Sequence, residues 1–264
     1  MPFVHVNGIH LHYEEQGPSR GPAVILLHGL GSSADDWALQ VPTFAEGHRV
    51  ITLDMRAHGQ SESNGQFSIA TMADDVGELL ARLDAAPAHV VGLSLGGCTA
   101  LALALRHPAR VRTLTIVNSF ARFRPGGWAG FRRGLKRAYL LGFRPMSDLA
   151  AFVAEGLFPK PEQRPLYEAA IASLSRNAKR TYWQSIRAIR FFDIEKQVSA
   201  IRCPTLVIAG DRDTTVPLAS KEFLRRAIPG ARLFVVPDSG HATPYDQSEV
   251  FNREVLGFVS THNA

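Results

Sequence analysis

Hydrophobic positions along this chain fall into two alternating patterns. Short, nearly continuous apolar runs occur at Ala23 to Leu27, Arg49 to Leu53, Val90 to Gly92, Val111 to Val117, Thr205 to Gly210 and Leu233 to Val236. Runs of this kind predict strands covered on both faces of a sheet. Between them the spacing turns helical, at Asp35 to Phe44, Thr71 to Leu83, Leu95 to Arg106, Leu218 to Ala227 and Ser248 to Val259. Near the start, Phe3 to Val6 and Leu11 to Glu15 flank Asn7-Gly8, a two-residue hairpin signal. Strand and helix in alternation predict an α/β fold, a mostly parallel central sheet flanked by helices.

The alternation stops once. From Ser119 to Val198 the chain has no convincing strand, only Arg-rich and aromatic helical stretches broken by prolines. The simplest organisation is a core of residues 1–118 and 198–264 with an inserted helical cap at 119–197. An insertion between parallel strands projects from their C-terminal ends, the edge at which open α/β sheets bind ligands.

Composition narrows the class. Of 264 residues, 45% are hydrophobic and 20% charged, which is globular usage and excludes a disordered chain. Two cysteines, Cys98 and Cys203, make neither a disulfide scaffold nor a metal cluster. Leu101 to Leu105 is far too short an apolar run to cross a bilayer. MPFVHVNGIHLHYEEQG has no basic start followed by an apolar stretch, so the expectation is a soluble, cytoplasmic protein. A formal charge of +5 raises nucleic acid, membrane surface and anionic substrate as partners. No nucleic-acid-binding motif accompanies it.

The chemistry concentrates at three strand ends. Val90-Val91-Gly92-Leu93-Ser94-Leu95-Gly96-Gly97 places Ser94 in a Gly-x-Ser-x-Gly corner between a strand and a helix. There a hydroxyl projects from the top of the sheet, beside the amides at a helix N-terminus. A nucleophilic serine needs a base and an orienting acid. Asp211 and Asp213 follow the Thr205 strand, and His241 follows the next one, giving the order Ser, Asp, His. The spacing leaves both aspartates open. The loop Leu27-His28-Gly29-Leu30-Gly31 can turn the Leu30 amide toward Ser94, where with the Leu95 amide it forms an oxyanion hole. His28 reads as a structural brace of that loop. The other histidines lack such context; His10 and His12, alternating on one strand, read as surface or structural.

Taken together, LLHGLGSS, LDMRAHGQS, GLSLGG, IAGDRDTTVP and PDSGH make the chain similar to the α/β-hydrolase superfamily, in its serine esterase and lipase-like branch with a helical cap. The resemblance implies Ser94 as nucleophile, His241 as base and Asp213 as acid, since the family's acid lies three residues past the glycine. It also implies hydrolysis of esters through an acyl-enzyme, with a small-molecule ester or lactone as substrate and no metal or organic cofactor. Ser94 stands where haloalkane dehalogenases and epoxide hydrolases carry aspartate, which excludes those relatives. Ala57 stands where the family usually has glycine, which implies a slightly altered loop. Enol-lactone hydrolases, carbon–carbon bond hydrolases of aromatic degradation and perhydrolases share the same triad. A hydrolase-fold ligand receptor is the alternative from another class.

Aromatic residues of the insertion read first as its own small core. Trp128, Phe131 and Tyr139, with Trp37 after the oxyanion loop, are the candidates for a substrate pocket. Cys98 reads as buried filler. The charge also acquires a location. Arg122, Arg124, Arg132, Arg133, Lys136, Arg137 and Arg144 lie between Ala121 and Ser147 with no acidic residue among them. Without these seven the chain would be slightly acidic. Such a face is a solvated helix surface, or it draws anionic substrates or an anionic interface toward Ser94.

Overall fold

Strand formation follows the apolar runs closely. The fold is given by a computed structural model describing residues 2–124 and 127–263. Met1, Pro125, Gly126 and Ala264, at the ends of the expected core and inside the expected cap, lie outside the described residues. The chain opens with the hairpin β1 (Phe3–Val6) and β2 (Ile9–Gln16), then β3 (Ala23–Leu27), a 3-10 turn at Ala34–Trp37, α1 (Val41–Phe44) and β4 (Arg49–Leu53). Next come α2 (Ile69–Arg82), β5 (Ala88–Leu93), α3 (Leu95–Arg106) and β6 (Val111–Val117). Four helices follow before the next strand: α4 (Gly127–Phe143), α5 (Met146–Leu157), α6 (Arg164–Ser175) and α7 (Lys179–Arg190). The chain then completes β7 (Thr205–Gly210), α8 (Leu218–Ala227), β8 (Arg232–Val236), α9 (Thr243–Asp246) and α10 (Ser248–Ser260).

The strands form one sheet of eight in the order β1-β2-β4-β3-β5-β6-β7-β8. Pairing is parallel from β4 across to β8 and antiparallel only where β2 meets β1 and β4. Alternate residues of each central strand enter opposite cores. Ile25 and Leu27 pack with Met72, Leu101 and Leu224, on the α2, α3 and α8 side. Val24 and Leu26 pack with Phe44, Phe251 and Val255, on the α1 and α10 side. That two-sided burial explains why these strands read as unbroken apolar runs.

Two expectations need correction. The helix read over Asp35 to Phe44 is two short pieces, because Pro42 can sit only in the first turn of α1 and restarts the chain there. The aromatic residues of the insertion are mostly not its core. Leu141, Leu149, Ala150, Leu174 and Tyr182 form that core, while Trp128, Phe131, Tyr139, Phe143, Trp183 and Phe191 are exposed. The helical excursion leaves and rejoins the sheet at one place. Ile194 N–H donates to the Ala121 carbonyl at 3.0 Å, and Arg122 bridges antiparallel to Asp193.

Candidate active site

Ser94 occupies the single residue between the end of β5 and the start of α3 and has φ 53° and ψ −108°. Such a backbone costs a non-glycine residue about 1–3 kcal/mol and persists only where its surroundings impose it. The glycines explain how the corner closes. A Cβ on Gly92 would collide with the Gly96 carbonyl, and one on Gly96 with the carbonyls of Leu27 and His28. Two hydrogen bonds fasten the corner to the next strand: Ser94 N–H to Val117 O at 2.9 Å and Ser119 Oγ to Ser94 O at 2.7 Å. Among the described residues, Ser94 Oγ makes no hydrogen bond.

The His28 loop lies against this corner. Gly96 N–H donates to His28 O at 3.0 Å, and a Cβ placed on Gly29 would sit 4.0 Å from Ser94 Cβ. Among the described residues the Leu30 and Leu95 amides donate to no other group. His28 is a brace, as its sequence context implied. It is fully buried, its Nε2 accepts from Met55 N–H at 3.0 Å, and Nδ1 therefore carries the proton donated to Gly29 O at 2.7 Å. Burial pushes this imidazole down to about 4, so it stays neutral near pH 7.

The loops after β7 and β8 bring Asp213 to His241. His241 Nδ1–H meets Asp213 Oδ2 at 2.9 Å, which leaves Nε2 of the neutral ring as an acceptor. The same oxygen accepts from Lys221 Nζ at 2.7 Å, and Oδ1 accepts from the amides of Thr215 at 2.8 Å and Val216 at 3.1 Å. Burial alone would raise the Asp213 carboxyl, but His241 and Lys221 outweigh it and hold it well below the usual range. Asp211 turns elsewhere and accepts from Ser239 N–H at 3.1 Å. The geometry therefore separates two aspartates that spacing could not.

Asn118 locks these loops together. Its Nδ2 donates to His241 O at 2.9 Å and to Thr243 Oγ1 at 2.8 Å, while its Oδ1 accepts from Gly210 N–H at 2.9 Å. The helical excursion reaches all three loops. Asn177 donates to Gly31 O at 2.6 Å, Arg133 to Thr214 Oγ1 at 3.0 Å, and Lys160 pairs with Asp238 at 2.7 Å.

Three of the side chains that order the site were missed from the sequence: Asn118, Lys221 and Asn177. Asn118 directly follows the apolar strand β6, and its partners are remote in the chain. Lys221 sits in an otherwise ordinary helix, and only its full burial marks it. The four pocket candidates go elsewhere. Trp37 has no exposed surface and packs on Phe251, its ring centroid 6.3 Å away, because the turn before α1 folds down onto the sheet. Trp128, Phe131 and Tyr139 lie on the outer face of α4, in solvent. Cys98 is buried, and burial pushes its thiol up to about 12.

A family model described as the alpha/beta hydrolase fold matches residues 22–247. The chain is 35% identical to "Putative carbamate hydrolase RutD" of Variovorax paradoxus over 96% of its own length and 97% of the other. It is 30% identical to 3-oxoadipate enol-lactonase 1 of Acinetobacter baylyi, covering 93% and 91% of the two chains. The crystal structure of the enol-lactonase from Burkholderia xenovorans superposes with a TM-score of 0.90 at 30% identity, over 98% of this chain and 100% of that one.

Proposed function

Since the chain belongs to the α/β-hydrolase family and is a hydrolase, we propose that it cleaves carboxylic esters through an acyl-enzyme on Ser94. One observation carries this reading. A serine held in a strained corner, two undonated amides beside it and a paired Asp213 and His241 all stand at the same edge of the sheet.

In the first half-reaction Ser94 Oγ attacks the ester carbonyl and passes its proton to His241 Nε2. Asp213, kept ionised by Lys221 and by the hydrogen bond from His241, fixes the tautomer of the ring and holds the imidazolium once it forms. The amides of Leu30 and Leu95 receive the oxyanion, and the N-terminus of α3 adds its positive end. His241 then gives the proton to the departing alcohol. Water, deprotonated by His241, attacks the acyl-Ser94 ester, and Ser94 leaves with the proton restored. Residues 119–197 act as a lid over this edge, supported by their hydrogen bonds to all three loops.

A second reading, favoured by the likeness to two enol-lactonases, is that the ester is cyclic. The steps are unchanged, except that the leaving alcohol stays tethered to the acyl group. Turnover of p-nitrophenyl esters, an enol-lactone, a carbamate and a vinylogous ring-cleavage product separates these substrates. Ser94→Ala should lower turnover of the best of them by about a thousandfold or more while leaving the fold intact. Undiminished turnover in that variant overturns the assignment. Failure of Ser94 to react with a fluorophosphonate, with no turnover of any substrate, would instead favour a ligand receptor.

A further inference from the structure

Helix α4 faces the wrong way round. Toward the body of the protein it presents cations: Arg133 lies 5.9 Å from the Phe152 ring centroid and Arg137 lies 5.3 Å from that of Tyr182, with Leu141 buried beside them. Toward solvent it presents Trp128, Phe131, Leu135, Tyr139 and Phe143, which are 73%, 46%, 57%, 56% and 81% exposed. Their steps of three and four residues put all five on one stripe of the helix. The rings gather on themselves, Trp128 with Phe131 at 5.4 Å and Tyr139 with Phe143 at 5.6 Å. An exposed, continuous stripe of this size marks an interaction surface.

Charge identifies what the surface fits. The helix carries Arg132, Arg133, Lys136 and Arg137 and no acidic residue. Among the described residues none of these four is in an ion pair. The nearest carboxylate in sequence, Asp148, is already engaged by Arg144. Arg132 and Lys136 are exposed beside the aromatic stripe, with the Lys136 ammonium 4.6 Å from the Phe152 ring centroid. A second copy docked stripe to stripe would press two such cation sets together with no counter-charge. No helix among the described residues is long and apolar enough to cross a membrane.

We propose that the outer face of α4 docks, lying flat, on an anionic lipid surface. Tryptophan and tyrosine enter the headgroup boundary, phenylalanine and leucine reach just below it, and Arg132 and Lys136 meet the lipid phosphates. Docking there brings the lid, and the sheet edge it is hydrogen-bonded to, against the membrane.

The test is co-sedimentation of the full chain with vesicles of phosphatidylcholine alone and of equal parts phosphatidylcholine and phosphatidylglycerol. The chain should bind the mixed vesicles, bind the neutral ones far less, and release in high salt. Arg132→Gln and Lys136→Gln should each weaken binding by about fivefold. Trp128→Ser with Phe143→Ser, both at exposed positions, should abolish it with thermal stability unchanged. Equal binding to both vesicle types, no binding to either, or binding indifferent to these substitutions overturns the proposal. A dimer in sedimentation velocity that the serine pair dissociates, without vesicle binding, would assign the stripe to a second copy and also overturn it. None of these outcomes depends on the chemistry at Ser94.

Discussion

Lys221 and His241 hydrogen-bond the same oxygen of Asp213, at 2.7 Å and 2.9 Å, on a carboxylate with no solvent exposure. Burial pulls the Lys221 ammonium down, and Asp213 opposes that pull. Asp213 and Lys221 therefore each depend on the charge of the other. Lys221→Met leaves Asp213 with one ionisable partner and should cost about 3 kcal/mol in denaturant unfolding. Asp213→Asn in the same chain should recover part of that loss, since a carboxamide needs no counter-charge. A single variant as stable as the parent would refute this coupling.

Asp36 contributes a pH dependence of its own. Burial raises its carboxyl from 3.8 to about 6, against the pull of the Ser32 and Tyr245 hydroxyls. The folded chain therefore binds this proton more tightly than the unfolded chain does. Its contribution to stability falls as pH rises through the interval from 3.8 to about 6 and is level above it. Asp36→Asn removes that dependence. Urea unfolding at a series of pH values should show the parent losing stability relative to the variant across this interval. A relative gain with rising pH would contradict the assignment.

Ala57 lies at φ 66°, in the left-handed region that disfavours side chains. The loop thus keeps the backbone that a glycine would adopt, rather than relaxing into the altered form implied by the sequence. Ala57→Gly should relieve about 1 kcal/mol of strain, offset in part by the greater freedom of glycine when unfolded. The net expectation is a rise in Tm of about 1 °C with kcat/KM unchanged. A lower Tm would show that the loop bears no such strain.

The strands were legible because burial on both faces writes itself as an unbroken apolar run, and β3, β4, β6 and β7 match the sequence reading residue for residue. The Ser94 corner was legible for a similar reason: its glycines are demanded by backbone collisions, which leave a fixed local signature. Asn118 and Asn177 were not legible, because each acts on partners remote in the chain and neither has a local pattern. The insertion misled most. Its aromatic spacing was that of a packed helix face, and periodicity alone cannot say which side of a helix the rest of the protein occupies.

The clasp of Ala121 with Ile194 and of Arg122 with Asp193 gives the fold a modular character. Because the excursion starts and finishes at neighbouring points, its length and makeup can change without re-registering any strand. In between it reaches Gly31, Thr214 and Asp238 with polar side chains, and its Ala188 and Phe192 pack into the core on the α2 and α3 side. The segment between these points can therefore vary while the eight-strand order that places the loops of Ser94, Asp213 and His241 stays the same.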